Sequence, residues 1–177
     1  LRFVSVGRIS PIKDYETIIN ACVILRDTWD RQWTLTLVGD PITPGDFAYA
    51  EKIKQFVREK DLESRITFLG DRHYSEIPDI LRDHDVFINA SHTGSLDKAV
   101  LEAMAVGLPV VTSNEAYRAI LPPQYFLARP DAKVFAARMK VIAKEKRPVM
   151  ELREIVIRDH ALGRMVERMA DLLAKPL

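Results

Sequence analysis

The chain has 177 residues, and its 26 lysines and arginines against 25 aspartates and glutamates give a net charge of +1. Apolar residues make up 47% of it and charged residues 29%, which is typical of a folded globular protein and excludes a disordered or fibrous one. The near-zero charge argues against a nucleic-acid-binding protein. The single cysteine, Cys22, excludes an internal disulfide framework and a cysteine-ligated zinc site.

The sequence contains neither a recognisable signal peptide nor an apolar run approaching the roughly 18 residues of a membrane span. We therefore expect a soluble protein of a reducing compartment. The chain begins at Leu1, directly ahead of a strand-like run, which favours a domain cut from a longer chain over a trimmed tail.

In chain order, short β-branched runs alternate with amphipathic stretches. The predicted strands are 2–6, 33–38, 65–69, 85–90 and 109–113, and the predicted helices between them are 14–28, 46–60, 75–83 and 97–106. Gly107 and Pro109 mark the end of the fourth helix. Strict alternation predicts an α/β fold, a Rossmann-like doubly wound parallel sheet with helices on both faces.

After residue 130 the pattern predicts helices alone, at 131–146, 149–159 and 161–174. Residues 138–177 carry ten basic and six acidic side chains, which we interpret as solvated helix faces. The expected location is cytoplasmic, with peripheral attachment at the inner face of the membrane as the alternative that this basic tail leaves open.

Ligands of open parallel sheets bind beyond the carboxyl ends of the strands. Gly7 and Gly39 follow the first two strands and allow close approach of a ligand or of the chain, and Asp40 stands where a ribose-binding acid would sit. The loop after the first strand has one glycine, so the dinucleotide fingerprint is missing; the P-loop and the hydrolase nucleophile elbow are missing as well. The segment 83–85 (DHD) resembles a metal-binding pattern, but it precedes a strand, so we expect a structural role.

Two features of the remaining sequence point to chemistry. Arg8 and Lys13 follow the first strand and are suited to holding a diphosphate without a metal, although pairing of Lys13 with Asp14 or Glu16 is equally compatible with the pattern. Glu102 lies in a helix of otherwise small and apolar residues, where a carboxylate needs a partner. A ligand hydroxyl explains that placement better than a pair with Lys98.

With these features in place, the chain resembles the donor-binding, C-terminal domain of a family 4 retaining glycosyltransferase of the GT-B fold. The resemblance covers about residues 1–130 and rests on SVGRISPIKDYETIINA, LTLVGDP, ITFLGD, DVFINAS and especially LEAMAVGLPVVTS. It implies one half of a GT-B fold, spanning residues 1–177, with the N-terminal acceptor domain absent from this chain.

The resemblance also implies roles for individual residues. Arg8 and Lys13 would grip the nucleotide diphosphate, Glu102 would bind the ribose, and Arg72 and His73 would border the base. The family usually has a second glutamate eight positions before the one at Glu102, but Gly94 stands there. Backbone N–H groups of the loop can still face the β-phosphate or sugar, and Asp97 is a candidate to supply the missing carboxylate. The donor-binding residues of this loop are then Thr93, Gly94, Ser95, Leu96 and Asp97.

The resemblance implies transfer of a hexose, with retention, from a UDP- or GDP-linked sugar, without a metal or other cofactor. The acceptor, a glycan or a lipid, would bind through the absent domain, and this segment alone would be inactive. Two alternatives remain open: a nucleotide-sugar epimerase of the same fold, and a non-catalytic nucleotide-sugar-binding domain, for which Gly94 is the only indication.

Overall fold

A computed structural model describes residues 1–92, 94–161, 163, 164 and 166. Five parallel strands form one sheet in the order β3-β2-β1-β4-β5. The strands are β1 (Arg2–Val6), β2 (Thr34–Val38), β3 (Ile66–Gly70), β4 (Val86–Asn89) and β5 (Val110–Thr112). The chain moves outward from β1 to β3 and then returns to the other side of β1, so that the topological switch point lies between β1 and β4.

Helices cover both faces of this sheet, as the sequence predicts. They are α1 (Tyr15–Thr28), α2 (Pro44–Glu59), α3 (Ile77–Arg82), α4 (Lys98–Ala105), α5 (Ala132–Ile142) and α6 (Met150–Ile155). Helix α1 contacts α2 and α5, whereas α4 contacts α3 and α6, which is the division expected of right-handed crossovers in a doubly wound sheet.

The helix termini follow from local chemistry. Asp14 accepts a hydrogen bond from the Thr17 amide at the start of α1. Thr43 and Asp46 form a reciprocal capping box at the start of α2. Helix α4 ends in a Schellman motif, in which Gly107 has a φ of +73° and donates to Met104, while the Leu108 amide donates to Ala103.

The larger differences from the predicted elements lie in the helical segments. The predicted helix 75–83 is a 3₁₀ turn (Tyr74–Glu76) that leads into α3, because Pro78 lies at the start of the α-helical part, where its missing N–H costs no bond. The predicted helix 149–159 is α6 continued by a π-helical turn, Val156–His160. Most of the predicted helix 161–174 lies outside the described residues.

One core fills both sides of the sheet. Its side chains include Phe3, Leu35 and Phe87 from the strands and Ile18 and Phe135 from the helices, all fully buried. Cys22 is buried in the same core. Within the described part of the chain, no helix combines the length and the apolar character needed to cross a bilayer.

Candidate functional site at the carboxyl ends of the strands

A cleft of about 500 Å³ opens where β1, β2 and β3 end. We call it the strand-end cleft. Its floor is made of backbone because Gly7 and Gly39 follow their strands directly: a β-carbon on Gly39, whose φ is +125°, would stand 2.3 Å from the Gly7 carbonyl oxygen. The buried Tyr15 hydroxyl donates to the same carbonyl from α1. The strand-end cleft is lined by Val6, Gly7, Arg8, Val38, Gly39, Asp40, Pro41, Ile42, Asp71, Arg72, Tyr74 and Ile77.

Arg8 presents its guanidinium to this cleft. Its Nε lies 3.7 Å from Oδ2 of Asp46, whose own carboxylate is fixed by the capping box of α2. The Thr43 backbone hydrogen bond, with a smaller contribution from the Arg8 charge, holds the pKa of Asp46 below its ordinary value. Arg8 is therefore oriented by a fixed anion while its side chain stays 43% exposed.

Lys13 lies at the switch point, and neither of the pairings weighed from the sequence occurs. Its Nζ bonds the carboxylate of Asp97, 84 residues away, because the loops after β1 and β4 meet here. Asp97 also accepts from the Asn89 side-chain amide at 3.0 Å, and Asn89 in turn accepts from the Thr112 hydroxyl at 2.9 Å. The Lys13 side chain runs over Gly7, where an added β-carbon would stand 3.2 Å from it.

The loop before α4 is tied to the segment after β5. The Asn114 side-chain amide donates to the Ser95 carbonyl at 3.0 Å, and the Tyr117 hydroxyl donates to the Asp97 carbonyl at 2.7 Å. Gly94 has a φ of +64° and is exposed, as are Ser95 and Leu96. Thr93, predicted to belong to this loop, lies outside the described residues.

Glu102 lies on α4 in a groove of about 290 Å³, which we call the Glu102 groove. Burial, reinforced by the Asp97 charge and opposed by Lys98, raises the pKa of this half-buried carboxyl above its ordinary value. In the described part of the chain no hydrogen bond or ion pair joins Glu102 to Lys98. The groove meets the strand-end cleft at Tyr74 and Ile77, which line both.

Of the residues predicted to bind the donor near β2 and β3, some line the strand-end cleft and one does not. Arg72 and Asp40 line the strand-end cleft, whereas the ring of His73 caps the 3₁₀ turn that follows β3, with Nδ1 2.8 Å from the Ser75 hydroxyl. Sequence reasoning missed Tyr74, which is 75% exposed; an aromatic residue beside the predicted base-binding pair was the available signal.

The segment 83–85 lies at the opposite edge of the sheet. The His84 ring lies 2.6 Å from the Ile80 carbonyl and 2.8 Å from the Thr36 hydroxyl, and Asp85 accepts from the Arg2 amide. Burial lowers the pKa of His84. Among the described residues, no three histidine, cysteine or acidic side chains converge as metal ligands would.

Comparison with curated proteins finds the same pattern of strands and loops in glycosyltransferases. The amylovoran biosynthesis glycosyltransferase AmsK of Erwinia amylovora is 31% identical over 123 residues, which is 66% of this chain and 28% of that protein. The UDP-Gal:alpha-D-GlcNAc-diphosphoundecaprenol alpha-1,3-galactosyltransferase of Escherichia coli is 31% identical over 113 residues, 63% of this chain and 27% of that protein. The matched stretch thus spans little more than a quarter of either relative.

Solved structures share the fold at lower identity. Anabaena Alr3699/HepE in complex with UDP superposes with a TM-score of 0.86 at 20% identity, over 98% of this chain and 48% of that one. The C-terminal domain of the group 1 glycosyl transferase LpcC of Francisella tularensis gives 0.78 at 21% identity, over 91% and 87%. The sequence model for the family described as glycosyl transferases group 1 matches residues 1–145. Since that match covers most of the chain, including the three loops that build the strand-end cleft and helix α4, the chain belongs to the group 1 glycosyl transferases.

Proposed function

We propose that this chain is the donor-binding domain of a glycosyltransferase that takes a hexose from a UDP- or GDP-linked sugar, with retention and without a metal ion. The observation that carries the proposal is that the strand-end cleft and the Glu102 groove adjoin, since Tyr74 and Ile77 line both. Arg8 and the backbone at Gly7 and Gly39 line one part, and the Glu102 carboxylate, which has no hydrogen-bond or ion-pair partner among the described residues, lines the other. A nucleoside diphosphate carries the complementary groups in the same order, because its phosphates suit the cation and its ribose hydroxyls suit the carboxylate.

The diphosphate fits the end that is lined by Arg8. A guanidinium binds phosphate oxygens in a planar, bidentate manner, and Lys13 has two further donors beyond its bond to Asp97. In transfer, negative charge builds on the leaving diphosphate, and fixed cations stabilise that charge in the transition state. In this proposal Arg8 and Lys13 bind the diphosphate and stabilise its charge without a metal.

The nucleoside fits the other end. Ionised Glu102 accepts hydrogen bonds from the two ribose hydroxyls, which compensates for its burial. The exposed ring of Tyr74, at the junction of the two cavities, offers a face on which a base can stack. Arg72 borders the same space.

An acceptor-binding domain completes the enzyme in this proposal. Exposed apolar side chains follow the carboxyl ends of four strands, namely Ile12, Ile42, Phe47, Tyr74 and Leu96. Two of them, Ile42 and Tyr74, line the strand-end cleft. Exposed apolar side chains at this edge are suited to packing against a partner. A second domain lying there would place an acceptor hydroxyl opposite the donor and exclude water from it.

The proposal is tested by titrating the chain with UDP, GDP and ADP, and with uridine and guanosine, by calorimetry in EDTA. We expect diphosphate binding in EDTA, and we expect Arg8→Ala to weaken it by about 1.5–3 kcal/mol while nucleoside binding changes little. Arg31→Ala, which removes an exposed arginine at the opposite edge of the sheet, is the matched control. Binding that strictly requires magnesium or manganese contradicts the metal-free proposal, and an equal loss in both arginine variants contradicts the role of Arg8.

A further inference from the structure

The carboxylate of Glu115 lies against the backbone of Gly94. Its Oε1 is 3.4 Å from the point where a β-carbon on residue 94 would stand. Gly94 has no side chain to fill that space, and its φ of +64° disfavours one. A carboxylate from the segment after β5 therefore lies in van der Waals contact with the place where a side chain of residue 94 would begin.

Hydrogen bonds on both sides of Glu115 hold it there. Asn114 donates to the Ser95 carbonyl and accepts from the Ala116 amide at 3.0 Å, so it caps the 3₁₀ turn Glu115–Tyr117. Tyr117, at the other end of this turn, donates to the Asp97 carbonyl. The backbone that carries Glu115 is thus fixed to the loop that leads into α4.

The Glu115 carboxylate is nevertheless unengaged. Within the described residues it accepts no hydrogen bond and forms no ion pair, and Arg118, one turn further along, lies over the Phe126 ring at 5.4 Å. Asp97, the other carboxylate of this loop, is bonded by Lys13 and Asn89 and is 10% exposed. Of these two, Glu115 is the one with both oxygens open to a ligand.

We infer that Glu115 recognises the donor sugar, accepting hydrogen bonds from its hydroxyls in the place of the side chain that Gly94 lacks. The inference rests on the proposed function, because a diphosphate held by Arg8 and Lys13 places its sugar beside the loop before α4. An ionised carboxylate accepts from two neighbouring hydroxyls at once, and both bonds are charge-assisted. Glu115 therefore governs which sugar binds rather than which nucleotide.

The test compares a nucleotide with its sugar conjugate on the same protein. Calorimetry with UDP, UDP-glucose, UDP-galactose, GDP and GDP-mannose gives the affinity that the sugar adds in the wild type. Glu115→Ala should lose about tenfold in affinity for the preferred nucleotide sugar, the effect of one charge-assisted hydrogen bond, and Glu115→Gln should lose less. Affinity for the free nucleotide should not change in either variant. Glu63→Gln, which alters an exposed carboxylate far from the cleft, should match the wild type throughout.

Three outcomes overturn the inference. They are that the sugar adds no affinity in the wild type, that both variants retain the full sugar contribution, or that the variants weaken binding of the nucleotide and of the nucleotide sugar equally. In each of these the nucleotide still binds, so the proposed function survives. Absence of nucleotide binding in the wild type is a different result, because it removes the proposed function and this inference with it. A melting temperature equal to that of the wild type confirms that the variants are folded.

Discussion

At the scale of single residues, Glu102 has surroundings that disfavour its charge. It is a half-buried acid on a helix whose neighbouring positions, Val100, Ala103 and Met104, are all buried. Among the described residues no cation forms an ion pair with it, and burial, together with the Asp97 charge, opposes its ionisation. A carboxylate in such surroundings is a candidate for ligand binding, since a ligand hydroxyl supplies the hydrogen-bond partner that the described residues do not.

This leads to a prediction for Glu102→Gln that depends on pH. Because the pKa of the native carboxyl is raised, the folded state binds the proton more tightly than the unfolded state does, and ionisation costs stability as pH rises through the native pKa. The variant should therefore melt at or above the wild-type temperature at pH 7, and the difference should vanish below the ordinary glutamate pKa. Scanning calorimetry of both proteins from pH 4 to 8 measures this.

We also predict that Glu102→Gln changes the affinity for a nucleotide. Loss of the carboxylate should weaken UDP or GDP binding by about 1.5–3 kcal/mol, the range for hydrogen bonds to a charged group. Unchanged affinity together with a large loss of stability would instead assign Glu102 a structural role, with the Lys98 charge as its support.

At the scale of elements, the ends of β1 and β2 decide the shape of the cleft. The Gly7 amide donates to Val38, and the Gly39 amide donates to Gly70, each at 2.9 Å, so the three strand ends are joined by backbone bonds. The approach of Gly39 to the Gly7 carbonyl leaves no room for a side chain. Arg8 follows directly, so the position of its guanidinium depends on this contact.

We predict that Gly39→Ala disrupts both stability and binding. The added methyl group meets a backbone atom, which cannot turn aside as a side chain would, and the φ of +125° is strained for alanine. The free energy of unfolding should fall by roughly 2–5 kcal/mol. Gly45→Ala is the control: it lies in the first turn of α2, where the nearest atom would be 3.9 Å away, and should be neutral or stabilising. Chemical denaturation measures the free energy of unfolding of both variants. Equal stability of the two variants would contradict the close contact at Gly39.

Elements were more predictable from the sequence than contacts between them. All five strands and the helices around them lie within a few residues of their predicted positions, because hydrophobic periodicity and capping residues are local signals. The two pairings weighed for Lys13, with Asp14 and with Glu16, do not occur, because its partner is Asp97, 84 residues away. The contact of Glu115 with Gly94 likewise depends on how the loops after β4 and β5 fold back over each other. Only the tertiary structure brings those pairs together.

At the scale of the whole molecule, the chain has a full core but an open site. Its sheet is covered on both faces, and the strand ends carry exposed apolar groups around a cleft that is open to solvent. Water competes for every phosphate contact in such a cleft, and the loss of water exclusion weakens those contacts. Stability and ligand affinity are therefore separable properties of this chain.

The purified 177-residue chain should accordingly fold cooperatively, bind a nucleoside diphosphate weakly and transfer no sugar. An affinity of roughly 10 μM to 1 mM is expected of a cleft that is open to solvent. Turnover should be absent because nothing in the described structure positions an acceptor hydroxyl against the anomeric carbon, and positioning of the reactants is a large part of catalysis. Thermal unfolding, calorimetry and an assay of donor consumption with glycan and lipid acceptors measure the three properties.

If the chain folds but binds no nucleoside diphosphate, the non-catalytic alternative also fails, because it too requires a nucleotide sugar. Transfer by this chain alone would show that the acceptor site lies within it, and the exposed apolar side chains after the strand ends would then belong to an acceptor surface and not to a domain interface.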